Sequence, residues 1–484
     1  MSHAHDATHS PAPGSASHGE AGGPEAAEPI DMLAALRDPA TSRLRCAAVT
    51  RAVERGDSGW FTLDRERLPE AAERVAETLR RRHPAGDIPP HSVWRHFEAG
   101  GVDRAAELEA KLAGLSAEER LRARIDLAVV SALLGASAGP GWRYVEAQGP
   151  GRLALASHQA SRDELLALLD QAASGAPRPA ATVEPEASGA PAPATAGAEG
   201  LAIASFRAFM AGAFSADSSQ PCRVDASVLC TVDTAALRAL FQVGGANTLA
   251  GLAERAALLA RLGQALQAGH AQDGLPARPS ALIERLCGPG FTLRTLDARA
   301  LLYGILRGLA PIWPPGRSLC GQAADDVWPH RWAGMACGGG GADAVSARWV
   351  PLHTPGQWLA CSLLEPLQAA GVQVTHGEVL TGLADAAHGG LMLDCGLIAP
   401  REPADLQRTW QVGDEFVIEW RALTLSLLDE LAAAVRERLG TDEAALPMSA
   451  LMAGGTVPAA AAMAAEKRGG APAVRVAGDG VVLF

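Results

Sequence analysis

The chain has 484 residues, 48% hydrophobic and 4% aromatic, with a formal net charge of −12 and a pI near 5.6. That length allows two or three domains around a sizeable core, and the acidic balance argues against nucleic-acid binding, which needs clustered Lys and Arg. No run of eighteen apolar residues points to a membrane span, and the polar, Pro-rich start lacks a signal-peptide core, so a cytoplasmic location is expected.

Residues 1–28 are rich in His, Ala, Ser, Gly and Pro and cannot bury enough apolar area to offset chain entropy. They predict a disordered tail. Residues 29–171 form an N-terminal helical part. Its clearest elements are a charged amphipathic helix over 70–82 and a long apolar-striped helix over 116–134, opened by the capping-box-like Ser116-Ala-Glu-Glu119. The Pro/Ala-rich tract 172–199 has no periodicity and predicts a disordered insertion. Residues 200–484 form a C-terminal helical part, expected to make one body with 29–171. Helices are predicted over 249–267 and 419–439, the second stopped by Gly440. A further helix starts around His353, Gln357 and Trp358. An acidic, glycine-rich turn is predicted over 380–396. Short strands are predicted at 372–375, 391–393, 473–476 and 481–484. No βαβ alternation, dinucleotide fingerprint or P-loop occurs, and the glycines at 338–341 predict a flexible loop. The fold class is therefore mainly α. The eight cysteines show neither C-x-x-C pairs nor zinc spacing, so they predict small buried residues and no metal.

Three clusters can carry chemistry. In the first, His91, Trp94, Arg95, His96, Glu98, Asp103 and Arg104 crowd a bend between two prolines and a double glycine. His and Arg donors gathered there suit a phosphate or carboxylate, through charge-assisted hydrogen bonds. The second cluster has Asp126 inside an apolar helical stripe, where it must find a partner. Trp142 and Arg143 follow on a Gly-Pro-Gly bend, as a pocket wall or a structural corner. The third holds His353, Gln357, Trp358, Asp385, Asp394, Glu419 and Arg421. Paired carboxylates suit cleavage of an anomeric C–N bond. One stabilises the oxocarbenium-like cation or activates water, and the other protonates the leaving group. Arg421 lies on the opposite side of a helix from Glu419, so the two need not pair.

These segments resemble a family of bacterial and fungal proteins tied to uracil catabolism, from about residue 29 onward apart from 172–199. The resemblance rests on 88–104, 200–206, 212–215, 255–263, 357–359, 389–391 and 419–424. A more remote similarity connects Arg255, Leu259 and Gly263, Gln357, the turn from Leu380 to Asp385, and Glu419, Arg421 and Ala422 to the hydrolases that salvage queuosine nucleotide. That similarity implies an all-helical body shaped like the DNA glycosylases, with Asp385 as the acidic residue at the turn. Both groups usually follow that residue with Tyr-Arg and carry a Lys where this chain has Thr354. Here Ala386 and Ala387 follow. The resemblance implies pyrimidine degradation, by hydrolysis of a ribosylurea-type nucleotide to urea and ribose 5-phosphate. Asp385 and Glu419 would be catalytic. His91, Arg95, His96, Asp126, Trp142, Arg143, His353, Gln357, Trp358, Asp394 and Arg421 would bind substrate. No cofactor is implied, and neither nucleic acid nor membrane is an expected partner. The alternative is a non-catalytic protein that binds a nucleotide or a pathway enzyme.

Overall fold

The computed structural model describes residues 32–139, 141–146, 194–313, 318–319, 322–323, 325–336 and 346–477. Helices carry most of them. The strands make only six two-stranded pairs among the described residues, so the body is mainly α.

Local sequence explains the main helices. Leu68–Arg82 buries Ala71, Ala72, Val75, Ala76 and Leu79, a 3-and-4 spacing that leaves its Arg and Glu outside. Ala117–Leu134 starts where Ser116 accepts the Glu119 N–H at 3.2 Å, as the capping pattern predicts. Leu252–Asp273 runs six residues past its expected end and stops at Gly274 in the left-handed region. Glu415–Leu439 starts four residues earlier than expected and stops at Gly440, which has φ 62°.

The 415–439 helix sits at the centre. It packs against Pro39–Glu54 and Leu68–Arg82 from the front of the chain and against Ala386–Asp394 from the back. A second layer is set by Thr354–Ala369, which lies against Ala117–Leu134 and Ala298–Leu309. Close crossings use glycine. A methyl on Gly263 would sit 2.6 Å from the Ala226 carbonyl oxygen, and one on Gly389 would sit 2.4 Å from the Trp420 ring.

Several expectations need correction. The 391–393 segment is not a strand, and Gly389 and Gly390 are not in a turn. All lie in the helix Ala386–Asp394, because a short apolar run has no period of its own and Asp385 caps the segment as a helix. Strands do form at Gln373–Thr375, parallel to Thr295–Asp297, and at Arg475–Ala477, parallel to Thr409–Gln411. The 172–199 tract lies outside the described residues up to 193. Its end takes regular structure: Ala194–Ala196 pairs antiparallel with Arg143–Val145, and the helix Gly197–Met210 follows. The tail 1–28, the loop 338–341 and the expected strand 481–484 lie outside the described residues. One helical stretch, Met448–Arg468, is long and apolar enough to cross a membrane by length and composition alone. More than half of its most apolar window is buried within the protein.

Candidate active site

Four segments converge on Asp385. The first is the bend carrying His91 and His96. It is pinned to the 354–369 helix by Ser362, whose Oγ accepts the Val93 N–H at 3.0 Å and whose carbonyl accepts the Trp94 Nε1–H at 2.9 Å. Glu365 on the same helix accepts Ser92 Oγ–H and an Arg95 guanidinium N–H, each at 2.6 Å. These contacts lay both imidazoles on Trp358, with ring centroids 4.9 Å away for His91 and 5.2 Å for His96.

Asp385 itself is the N-cap of the 386–394 helix. Its carboxylate accepts the His388 backbone N–H at 2.8 Å and the His388 Nδ1–H at 2.9 Å. The other ring nitrogen of His388 lies 2.9 Å from Thr456 Oγ1. Thr456 ends a π-helical turn, Met452–Thr456, a form of local strain frequent at functional sites. That turn follows the helix Met448–Leu451, where the Ser449 carbonyl accepts the His91 N–H at 2.8 Å.

The electrostatics divide the roles. Burial alone would push the Asp385 carboxyl up, but His388, with a smaller contribution from His91, outweighs it and holds the group below the usual carboxylate range. Its side chain keeps 25% of its accessible surface, so an ionised carboxylate lies deep yet open to solvent. Burial pushes His91 down to about 3, helped by His96 and His388, and pushes His96 down to about 4. Both rings are neutral near pH 7. Gln357 adds a buried amide. Its Oε1 accepts the Thr381 N–H at 3.3 Å, and its Nε2 has no partner among the described residues.

The structure brings together His91, His96, Gln357, Trp358 and Asp385. It places the other expected site residues elsewhere. Arg95 belongs to the same bend, but its guanidinium is engaged by Glu98 and Glu365, so it is not a waiting phosphate ligand. His353 lies between the Asp325 carboxylate and the Leu36 carbonyl, at 2.8–2.9 Å. Burial opposes charge there, but Asp325 outweighs it, so the His353 pKa is raised and the ring is a structural cation. Arg421 is also framework. It donates to both Asp326 oxygens, to Thr354 Oγ1 at 3.0 Å and to the Ala384 carbonyl at 3.0 Å, which fixes the turn that carries Asp385. The Thr354 position is thus a buried hydroxyl in this network. Ala386 is half-buried and Ala387 exposed.

Asp394 ends the helix that Asp385 begins, about 13 Å away along the axis, and is paired with Arg468. Asp126 accepts from Arg278, the Ser280 N–H and the Val224 N–H, and so joins three chain segments as a structural hub. Trp142 is fully buried and donates to the Phe241 carbonyl. Arg143 sits on a strand edge and donates to the Trp142 carbonyl. None of these contacts reaches the Asp385 turn. Glu419 points away from Arg421, as a 200° separation on a helix requires. It accepts from Ser58 and lines a different recess, so the expected Asp385–Glu419 pair is not formed.

Sequence reasoning missed Ser92, Ser362, Glu365, His388 and Thr456, all polar residues within apolar helical surroundings. Of these, His388 had a readable signal: it stands three residues after an N-cap aspartate. Among the described residues no group of three or more His, Cys, Asp or Glu side chains converges as a metal site. A larger cavity, of about 740 Å3, meets the same turn from another side at Leu380 and Thr381. It is mainly apolar, and none of the expected site residues lines it. The titratable and aromatic side chains therefore gather at the Asp385 turn and not in that cavity.

Two relatives cover most of the chain. It is 29% identical over 418 residues to Protein urg3 of Schizosaccharomyces pombe, spanning 85% of this chain and 88% of that protein. It is 28% identical over 455 residues to Uracil catabolism protein 4 of Lachancea kluyveri, spanning 88% and 93%. The family described as Protein of unknown function (DUF1688) matches residues 35–172 and 189–483 and skips only Pro/Ala-rich sequence between them, so the chain belongs to that family.

Proposed function

We propose that this protein acts in uracil degradation by hydrolysing the N-glycosidic bond of a ribosylurea-type nucleotide, giving urea and ribose 5-phosphate. The name of one relative, Uracil catabolism protein 4, supports the pathway. One observation carries the reaction: an ionised, solvent-reachable Asp385 lies near the neutral His91 imidazole, which packs with that of His96 against Trp358 in tilted geometry. In this reading Asp385 stabilises the sugar cation or takes the proton of the attacking water. Water oxygen bonds to the anomeric carbon as its proton passes to Asp385, the carbon–nitrogen bond breaks, and the departing nitrogen takes up that proton, which returns Asp385 to its ionised form. The N–H groups of His91 and His96 donate to the leaving urea, and Trp358 covers its face. The all-helical, glycosylase-like body implied by the queuosine-salvage resemblance fits this reading.

The test is urea and ribose 5-phosphate release from ribosylurea 5-phosphate, with unphosphorylated ribosylurea alongside because Arg95 and Arg421 are held by carboxylates. Asp385→Asn is expected to lower turnover by at least 10²-fold while keeping the fold. Unchanged turnover in that variant would discard the assignment. The engagement of those two arginines favours a second reading, a binding protein without turnover. It predicts thermal stabilisation by the same compounds and no product.

A further inference from the structure

A second recess lies across the 415–439 helix from the Asp385 turn. It has a volume of about 190 Å3 and is lined by Gly59, Trp60, Arg331, Trp332, Glu415 and Glu419. Glu419 is only 1% exposed, yet it lines this space. One of its oxygens accepts the Ser58 hydroxyl, which is itself fixed by the backbone N–H groups of Trp60 and Phe61 at 2.9 and 3.2 Å. The other oxygen lies 3.4 Å from His330 Nε2.

His330 is 3% exposed, and its Nδ1 accepts the Trp332 backbone N–H at 3.3 Å. Its ring proton therefore sits on Nε2, and that atom has no hydrogen-bond partner among the described residues. That contact is not a completed hydrogen bond, so the second Glu419 oxygen, which has no other partner among the described residues, keeps an acceptor position open where Glu419 lines the recess. Such a gap in a buried polar pair calls for an explanation.

We propose that this recess is a binding site for a small planar ligand that donates N–H groups, of the ureido or guanidinium kind. Glu419 supplies the acceptor at the floor, and Trp60 and Trp332 supply aromatic surfaces. Glu415 at the rim adds a second carboxylate, held by Arg331 and lying 3.4 Å from Trp60 Nε1. At about 30 Å3 per water-sized group, the space takes roughly six such groups. Aromatic faces with carboxylates favour a flat cation, and a buried acceptor favours any N–H donor.

The test uses the full chain and ligand-observed NMR titration with N-methylurea and with methylguanidinium. Saturable binding of either is expected, weakened on the order of tenfold by Glu419→Gln, which leaves one hydrogen bond poorer. Gly59→Leu gives an independent check if that buried change disturbs the fold. Gly59 lines the recess and a Cβ there meets nothing within 4 Å, so a side chain is accommodated at the wall and should weaken binding. Asp385→Asn should bind both probes as the wild type does. Binding of methylguanidinium alone assigns a cation site, and binding of N-methylurea alone assigns a neutral one. Failure of the wild type to bind either probe, or binding untouched by both Gly59→Leu and Glu419→Gln, overturns the proposal.

Discussion

At the scale of single residues, the two imidazoles on Trp358 carry a signature in pH. In the unfolded chain each titrates near 6.5, but in the fold burial holds His91 at about 3 and His96 at about 4. Between those values and 6.5 the unfolded state binds more protons, so this contribution to stability rises with pH and is complete above 6.5. It is lost as pH falls from 6.5 towards 4. We expect His96→Phe, which keeps a ring against Trp358, to gain stability relative to wild type as pH is lowered from 7 to 4. Urea midpoints at several pH values measure this. Asp126, Glu365 and Asp429 are pushed up by burial and act with the opposite sign, but they are present in both proteins and drop out of the difference. A difference that stays flat with pH would mean that His96 is not held neutral by burial. The sequence showed that His91 and His96 share a bend. It did not show that they would be neutral, because neutrality comes from burial by segments distant in the chain, among them the helix carrying Trp358, more than 250 positions away.

At the scale of elements, the readable signals were local ones. Ser116 and Gly440 marked helix ends because capping is written within a few residues. Asp385 followed the same rule, yet its helix was masked by the double glycine that a turn would also use. Those glycines answer to packing instead. Gly389 lets the Trp420 ring approach, and Gly263, within the motif Arg255 to Gly263, lets the helix Ala226–Leu229 cross the 252–273 helix. Arg255 in that motif spends its guanidinium on the carbonyls of Leu134, Ala136, Ser137 and Ala250. The motif is thus a mark of how two helices and a loop fit, not of a substrate contact. Gly263→Ala would put a methyl 2.6 Å from the Ala226 oxygen, and overpacking of this kind costs about 1–3 kcal/mol. Gly114→Ala meets nothing within 4 Å and should change stability by no more than about 0.5 kcal/mol. Chemical denaturation of the two variants beside wild type decides it. Equal losses would show that the close crossing carries no energetic weight.

At the scale of the whole molecule, the central helix makes the front and back of the chain depend on each other. The 415–439 helix is buried from Phe416 through Leu425 without a break. It owes that burial to Pro39–Glu54 and Leu68–Arg82 as much as to Ala386–Asp394. The cluster at Asp385 likewise takes His91 and His96 from the front and Trp358 from the back. Non-local pairing of this sort leaves no trace in periodicity, which is why the three clusters were visible but their partners were not. The Pro/Ala-rich stretch between the two family-matched blocks is skipped by the family match. A protease site placed within 175–185 and cut after folding should therefore leave two fragments that stay together on gel filtration in native buffer. The nicked protein should also keep ligand responses at both candidate sites. The buried faces on either side of the central helix hold the fragments, since burial contributes about 25 cal/mol per Å2 of apolar surface whichever chain it comes from. Fragments made separately should stay largely unfolded or aggregate, because each would expose one of those faces. If either fragment alone folded to a cooperative, monomeric state, the front and back would be independent domains, and the cluster at Asp385 would be an interface between them.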